Sequence, residues 1–346
     1  MKILGIGNAI VDVICKVDEN FISQNGLTKS TMKLIFDENE FKNLLSNLKI
    51  EKTISGGSVA NSIVGLSQQG NKVGFIGKIS DDNLGEKYEI GLKKENVEYI
   101  YTKGCASGKR VQCFAGAKNH MLIMPDADME QAADALVGAG FGAAGERCMA
   151  ISVAVPVGEK TADKLIEKLI PKVEALKIGP YTAGKDVDFG PVVTKEAQQK
   201  ILGLVNKGIE EGASLKVDGR NFKMQGYENG FFVGACLFDN VTSDMEIYQQ
   251  EIFGPVLSTV RAKNYEEGLD LIKTNQYGNG TAIFTRDGDT ARDFSNRVNV
   301  GMVGVNVPIP VPLAYHTFGG WKKSAFGDLN QHGPDAFRFY TKTKTI

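Results

Sequence analysis

The sequence predicts an α/β fold, because short apolar segments with strand character alternate with helical patterns along the whole chain. Its length of 346 residues predicts about two domains. A hydrophobic content of 42% with 23% charged residues is typical of globular proteins and excludes disordered and fibrous classes. The formal net charge of −1 gives no electrostatic reason to expect a nucleic acid or a membrane surface as a partner.

The composition changes abruptly near residue 100. Residues 1–103 contain ten asparagines, two alanines and no arginine, whereas all eight arginines lie in residues 104–346. The stretch 104–150 holds eleven alanines and one asparagine. We therefore predict a first segment over residues 1–100 and a second over residues 104–346, with a chance fluctuation as the alternative explanation.

Strand and helix signals alternate in the first segment. Apolar or alternating residues predict its strands, and apolar residues at helical spacing predict its helices. The strands are expected at residues 2–6, 11–17 and 73–76, and the helices at residues 38–48, 58–69 and 84–94.

The second segment continues the same pattern with more elements. Strands are expected at residues 111–114, 121–124, 151–157, 231–237, 256–260, 281–284 and 302–307. Helices are expected at residues 129–139, 160–176 and 194–211. Asp128 is the expected N-cap of the first of these helices, and Leu165, Leu169 and Val173 form an apolar stripe on the second.

Two glycines precede the helix expected at residues 58–69. The stretch Gly56-Gly57-Ser58-Val59-Ala60-Asn61 would let a ligand approach the backbone and the free N–H groups of a helix N-terminus. With residues 74–82 it resembles the first signature of the PfkB family of ribokinase- and adenosine kinase-like kinases. The resemblance implies that Asp12, Gly57 and Asn61 contact a sugar. The family's late Gly-Ala-Gly-Asp signature has no match downstream, so only the sugar-binding half of a kinase is expected.

Cys148 follows a glycine-rich turn, in the sequence Gly145-Glu146-Arg147-Cys148. A cysteine beside small residues at such a turn can be an exposed nucleophile, and a buried structural cysteine is the alternative. Glu251-Ile252-Phe253-Gly254-Pro255, Phe318-Gly319-Gly320 and residues 104–120 accompany it. Together these motifs resemble the aldehyde dehydrogenase superfamily, and within it the CoA-acylating methylmalonate-semialdehyde dehydrogenase branch, over residues 98–346.

The resemblance implies that Cys148 attacks the aldehyde carbon and that, after hydride loss to NAD, a thioester remains on Cys148. Glu251 is expected to bind the nicotinamide ribose, with Phe253 beside the ring and Ala115 in the loop that passes the cofactor. Arg147 would pair with the substrate carboxylate, and a solvated surface arginine is the alternative.

The resemblance also implies how the thioester is released. Hydrolytic members of the family activate water with a glutamate, and counting back from Asp126 places Phe114 at that position. Since a phenylalanine cannot deprotonate water, coenzyme A is the expected acyl acceptor. The products would be propionyl-CoA or acetyl-CoA, formed from the small molecules methylmalonate or malonate semialdehyde with loss of carbon dioxide.

The part of the family that carries most of the NAD-binding domain has no counterpart in this sequence, so little or no activity is expected of the chain alone. Residues 97–102 fit the sequences of both families. This favours an origin of the chain by recombination or misassembly at a short segment that the two parent sequences share. The alternative functions are a PfkB-type kinase and an inactive fusion or assembly module. The resemblance also implies a homo-oligomer formed through a C-terminal strand near residues 339–345. Five scattered cysteines without zinc or disulfide spacing, and a strand-like N-terminus, indicate a cytoplasmic protein without a bound metal.

Overall fold

The computed structural model divides into two compact units, Met1–Asn96 and Val97–Ile346. The residues it describes are 2–6, 10–15, 17, 21, 24, 50–56, 72–76, 96–180, 182, 186–313 and 315–346. Within these residues no helix is long and apolar enough to cross a membrane.

Two pairs of strands make up the described regular structure of the first unit. They are β1 (Lys2–Ile6), β2 (Ile10–Cys15), β3 (Ile50–Gly56) and β4 (Lys72–Ile76). β1 pairs with β4 in parallel, and β2 pairs with β3 in antiparallel orientation, which confirms the three strands expected in the first segment. Asp12 lies in β2 opposite Ile54. Gly57, Asn61 and the helices expected at 38–48, 58–69 and 84–94 lie outside the described residues.

A seven-stranded sheet forms the centre of the second unit. The strands of this unit are β5 (Cys113–Phe114), β6 (Asn119–Ile123), β7 (Ile151–Pro156), β8 (Ser214–Val217), β9 (Cys236–Asp239), β10 (Val256–Thr259), β11 (Tyr277–Gly278), β12 (Gly280–Phe284), β13 (Met302–Val305), β14 (Trp321–Lys322) and β15 (Ala325–Phe326). The order in the sheet is β13-β12-β6-β7-β10-β9-β8, with six parallel strands and an antiparallel β8 at one edge. β6 is buried along its whole length, so it is continuously apolar at Met121, Leu122 and Ile123 rather than alternating.

Helices surround this sheet and confirm the expected α/β class. They are α1 (Asn96–Ala106), α2 (Met129–Phe141), α3 (Glu159–Glu174), α4 (Lys195–Glu210), α5 (Glu246–Gln249), α6 (Tyr265–Thr274), α7 (Gly288–Arg297) and α8 (Pro334–Tyr340). The expected cap of α2 is confirmed, since the Asp128 carboxylate accepts hydrogen bonds from the N–H groups of Glu130 and Gln131, both at 3.1 Å. The apolar stripe of α3 is buried as expected.

The strand expected at residues 231–237 begins later in the structure, at Cys236. The reason is a close backbone approach just before it: the N–H of Gly234 donates to the carbonyl of Gly219 at 2.9 Å, and any Cβ on Gly234 would lie 2.6 Å from the Gly219 Cα. This contact holds the chain out of the ladder until Cys236 pairs with Val256 of β10. The expectation was therefore wrong for residues 231–235.

The C-terminal strand expected at residues 339–341 is also wrong, because Phe339 and Tyr340 end helix α8. Pro334 occupies the first turn of this helix, where its missing N–H costs nothing. The Arg110 guanidinium binds the carbonyls at the other end, those of Arg338 and Phe339 at 2.5 Å and of Thr341 at 2.9 Å. A cation on the last carbonyls of a helix satisfies them and favours its dipole, so the segment is helical within the chain.

Candidate active site

The chain turns sharply between α2 and Cys148. Ala143, Ala144 and Gly145 have positive φ values of 53°, 54° and 71°, the left-handed region that L-residues rarely adopt. The N–H of Glu146 donates to the carbonyl of Ala143 at 3.0 Å and closes the turn. The result is an exposed Cys148 shortly before the buried start of β7, so this cysteine is not buried in the core.

A second segment, residues 251–254, lies directly against this turn. A Cβ on Gly145 would stand 2.0 Å from the carbonyl oxygen of Gly254, so only glycine fits there on both conformational and steric grounds. Phe253 itself has a left-handed φ of 57° and is partly exposed. The close approach of these two backbones brings residues far apart in sequence to one cleft.

Glu251 is fixed at both its backbone and its side chain. Its Oε1 accepts a hydrogen bond from the N–H of Ala117 at 2.9 Å, and its carbonyl accepts one from Lys200 Nζ at 2.7 Å. Lys118, which is buried, donates through Nζ to the carbonyls of Ile247 at 2.6 Å and Gln250 at 2.9 Å. Burial lowers the pKa of Lys118 to about 7, and the nearby Glu251 side chain opposes that shift.

An open cleft joins these features. Its lining residues are Ala117, Asn119, Gly140, Gly145, Arg147, Cys148, Ala150, Ile151, Ser152, Glu251, Ile252, Phe253, Gly254 and Val256. The structure thus brings together Cys148, Arg147, Glu251 and Phe253, four of the residues singled out from the sequence.

Two of the residues singled out from the sequence lie outside the lining of this cleft. Ala115 is exposed, and its N–H donates to the carbonyl of Ser324 at 2.9 Å. Phe114 lies in β5, where it pairs with Ala325 of β15. The β5–β15 ladder therefore anchors the chain just before Gly116, whose would-be Cβ lies 3.0 Å from Glu251 Oε2.

Arg147 is exposed at the rim of the cleft. Its guanidinium lies over Gly142, where any Cβ would come within 2.8 Å of Nη1. Within the described residues it forms no ion pair, unlike Arg261 or Arg297. Among the residues that the structure describes, its charge is therefore not neutralised by a carboxylate.

Sequence reasoning missed two polar residues beneath Cys148, Asn119 and Asn279. Both side-chain amides donate to the Cys148 carbonyl, at 3.0 Å and 2.7 Å. A signal for Asn119 was present, since an asparagine at the start of a continuously apolar strand must find partners once it is buried. Asn279 lies between two glycines and gives no comparable signal in the sequence.

The family model of the aldehyde dehydrogenases matches residues 94–346, well over half of the chain, so the chain belongs to the aldehyde dehydrogenase family. The resemblance found in the second segment is thereby confirmed. The model of the pfkB family carbohydrate kinases matches residues 14–139, which confirms the resemblance of the first segment and overlaps the other match over residues 94–139. The overlap includes β6, a central strand of the seven-stranded sheet of the second unit.

Relatives of known name resemble the same part of the chain. Malonate-semialdehyde dehydrogenase of Pseudomonas aeruginosa is 58% identical over 249 residues, which are 72% of this chain and 50% of that protein. The acylating, mitochondrial methylmalonate-semialdehyde/malonate-semialdehyde dehydrogenase of Bos taurus is 48% identical over 251 residues, 72% of this chain and 46% of that protein.

A solved structure gives the same picture. The Sinorhizobium meliloti protein, provisionally assigned as methylmalonate-semialdehyde dehydrogenase and complexed with NAD, has a TM-score of 0.71 and 69% sequence identity. The match covers 72% of this chain and 51% of that one. The chain thus spans about half the length of the curated relatives it matches.

Proposed function

We propose that residues 94–346 are the catalytic portion of a CoA-acylating, NAD-dependent dehydrogenase of methylmalonate or malonate semialdehyde, with Cys148 as its nucleophile. The carrying observation is the exposed Cys148 on a left-handed turn whose Gly145 abuts the Glu251–Gly254 backbone. The names of the relatives from Pseudomonas aeruginosa and Bos taurus support the substrate class and the acylating chemistry.

In this proposal the sulfur of Cys148 adds to the aldehyde carbon and forms a thiohemiacetal. The N–H of Cys148 makes no hydrogen bond within the described residues, so it is available to the oxygen that gains charge in this step. Loss of hydride and a proton from the thiohemiacetal leaves a thioester on Cys148. NAD supplies the hydride acceptor when it is bound.

The residues of the cleft fit the nicotinamide-ribose end of that cofactor. Glu251 uses Oε1 for the Ala117 N–H, while Oε2 has no hydrogen bond within the described residues and can accept one from a ribose hydroxyl. Gly116 faces Oε2 without a side chain, which leaves that approach open. Phe253 offers an exposed apolar ring at the rim, and Ala115 is proposed to lie in the loop beside the cofactor.

Release of the acyl group is proposed to use the thiol of coenzyme A. Glu251 is the carboxyl residue that lines the described cleft; its Oε1 is bound to the Ala117 N–H, and in this proposal its Oε2 is bound to the cofactor ribose. With Phe114 at the position of the water-activating glutamate of hydrolytic relatives, water lacks a base. Attack by the thiol of coenzyme A regenerates the Cys148 thiol, and the substrate carboxylate leaves as carbon dioxide to give propionyl-CoA or acetyl-CoA.

Arg147 is proposed to hold the carboxylate of the semialdehyde. Its guanidinium is exposed at the rim, next in sequence to the nucleophile, and can form a bidentate pair with a planar carboxylate. Such a pair would set the distance between the aldehyde carbon and Cys148.

The assembly and location are also proposals. We expect a cytoplasmic protein, and a homo-oligomer in which residues 341–345, which follow α8, pair with a partner chain. Phe337, which is exposed on α8, supports an apolar contact there. Because the chain matches about half of its relatives' length, a polypeptide of these 346 residues is expected to reduce little NAD on its own.

The first experiment therefore isolates the nucleophile from the cofactor. The purified chain is mixed with p-nitrophenyl acetate, and the burst of p-nitrophenolate and the acetylated peptides are quantified. One acetyl group per chain is expected on Cys148, and the burst should disappear in Cys148→Ser but persist in Cys105→Ser, a matched change at another exposed cysteine. Equal acetylation of Cys105 and Cys148 in the parent would contradict the proposed nucleophile.

The kinase-family match supports a second candidate, weak sugar or nucleoside binding by the first segment through Asp12, Gly57 and Asn61. Isothermal titration of ribose and adenosine into the parent and Asp12→Asn tests it. Binding that is lost in the variant supports the candidate, whereas identical heats in both would remove it.

A further inference from the structure

The carbonyl oxygen of Cys148 is bound by two side-chain amides, one from the start of β6 and one from the residue between β11 and β12. Asn119 Nδ2, at the start of β6, donates to it at 3.0 Å. Asn279 Nδ2, just before β12, donates to it at 2.7 Å. Two donors on one carbonyl oxygen restrict the direction of that peptide more strongly than one does.

Both amides are buried, with exposed fractions of 2% for Asn119 and 7% for Asn279. The other hydrogen bonds of the Asn119 side chain are made to the same region. Its Nδ2 also donates to the Ala150 carbonyl, and its Oδ1 accepts from the Gly280 N–H, both at 3.0 Å. A buried amide left without such partners loses its hydration without compensation, which destabilises the fold. The two buried asparagine amides and the carbonyl groups near Cys148 thus provide one another's hydrogen-bond partners.

The side chains of Cys148 and Met149, on either side of the bound Cys148 carbonyl, have opposite environments. Cys148 is exposed in the cleft, whereas Met149 is buried, with its sulfur 3.0 Å from Asn279 Nδ2. Met149 extends over Gly280, where any Cβ would lie 2.4 Å from the methionine methyl carbon. The amide pair and the buried methionine thus fix the backbone from which the Cys148 side chain projects into the cleft.

We propose that Asn119 and Asn279 are positioning residues that hold the Cys148 thiol in its attacking direction, an inference that rests on the proposed role of Cys148 as nucleophile. Neither side chain needs to touch the substrate for this role. Nucleophilic attack on a carbonyl depends on alignment, and a misplacement of about 1 Å can lower a rate by about a hundredfold. The effect should therefore appear in acyl transfer, which needs alignment, more than in simple alkylation of the thiol.

The test compares Asn279→Ala with Asn275→Ala. Asn275 has the same exposed fraction, 7%, and precedes β11 as Asn279 follows it, but its side chain binds the N–H of Tyr277 rather than the Cys148 carbonyl. For each protein we would measure acylation of Cys148 by p-nitrophenyl acetate and alkylation of Cys148 by iodoacetamide. Alkylation of the buried Cys236 reports whether the unit stays folded.

Asn279→Ala is expected to slow acylation about tenfold or more while alkylation of Cys148 changes by much less. Cys236 should stay protected, and Asn275→Ala should acylate at the parent rate. Acylation of Asn279→Ala within about twofold of the parent, or an equal loss in Asn275→Ala, overturns the proposal. Absence of Cys148 acylation in the parent itself would instead reject the proposed function.

Asn279→Asp covers the case in which the alanine variant does not fold. Its shape is conserved, but an ionised carboxylate would face the Cys148 carbonyl, whereas a protonated one can still donate. Because burial at this position raises the pKa of a carboxyl group, the ratio of parent to variant acylation rates should be largest at about pH 8 and fall toward about pH 5. A ratio that does not change with pH overturns the positioning role.

Discussion

Replacing Gly145 by alanine tests the contact that builds the cleft. At φ 71° the left-handed backbone costs a non-glycine residue about 1–2 kcal/mol. The added Cβ would also stand 2.0 Å from the Gly254 carbonyl oxygen and 2.5 Å from its carbon, both of them backbone atoms that cannot rotate away. Overpacking of this kind costs about 1–3 kcal/mol, so Gly145→Ala should destabilise the second unit by about 2–5 kcal/mol.

Gly108→Ala is the matched control for this substitution. Gly108 has a φ of 67°, and no atom lies within 4 Å of its would-be Cβ, so its substitution carries the backbone cost alone. Urea unfolding followed by the fluorescence of Trp321, the single tryptophan, reports on the second unit. Equal destabilisation by the two substitutions, or unaltered acylation of Cys148 in Gly145→Ala, would refute the steric reasoning.

Three further predictions concern the stability of the second unit. Arg261→Met leaves the buried Asp239 carboxylate, 1% exposed, without its two-pronged partner at 2.8 and 3.0 Å, and should cost about 3–5 kcal/mol in urea unfolding, with Arg261→Lys recovering only part. Burial lowers the pKa of His120 to about 3, so between that value and about 6.5 only the unfolded chain binds the proton. The free energy of unfolding should therefore decrease by about 1.4 kcal/mol for each unit by which the pH is lowered in this range. His120→Gln should lack that contribution, and identical pH slopes would contradict it. Thr194→Ala removes the cap on the Ala197 N–H and should cost about 1 kcal/mol, whereas a cost as large in Thr194→Ser would show that the cap is not responsible.

The sequence pattern predicted those helices whose caps and apolar stripes lie within the helix itself or directly beside it. The α2 helix follows from Asp128 and its apolar spacing, and the buried stripe of α3 follows from its 3.6-residue period. The start of β9 did not follow, because it depends on the backbone of Gly234 meeting that of Gly219 fifteen residues earlier. Likewise Arg110 caps α8 from 228 residues away in the sequence. Phe339 and Tyr340, which the family resemblance places in a strand, therefore end a helix.

The candidate site shows the same division. Cys148 could be singled out from the sequence, because the glycine-rich turn that exposes it directly precedes it. The Asn279 amide reaches the Cys148 carbonyl across 131 residues, and Asn119 reaches it across 29. Such contacts depend on strand order, which places β6 beside both β7 and β12, and no short motif records that order.

The central claim is that Cys148 carries an acyl group which a thiol, and not water, removes. The direct measurement is to acetylate Cys148 with p-nitrophenyl acetate, remove the reagent, and follow the acetyl group with and without coenzyme A. We expect the acetyl group to persist in buffer and to appear as acetyl-CoA, in one-to-one yield, once coenzyme A is added. Release of acetate at the same rate in both conditions would contradict it.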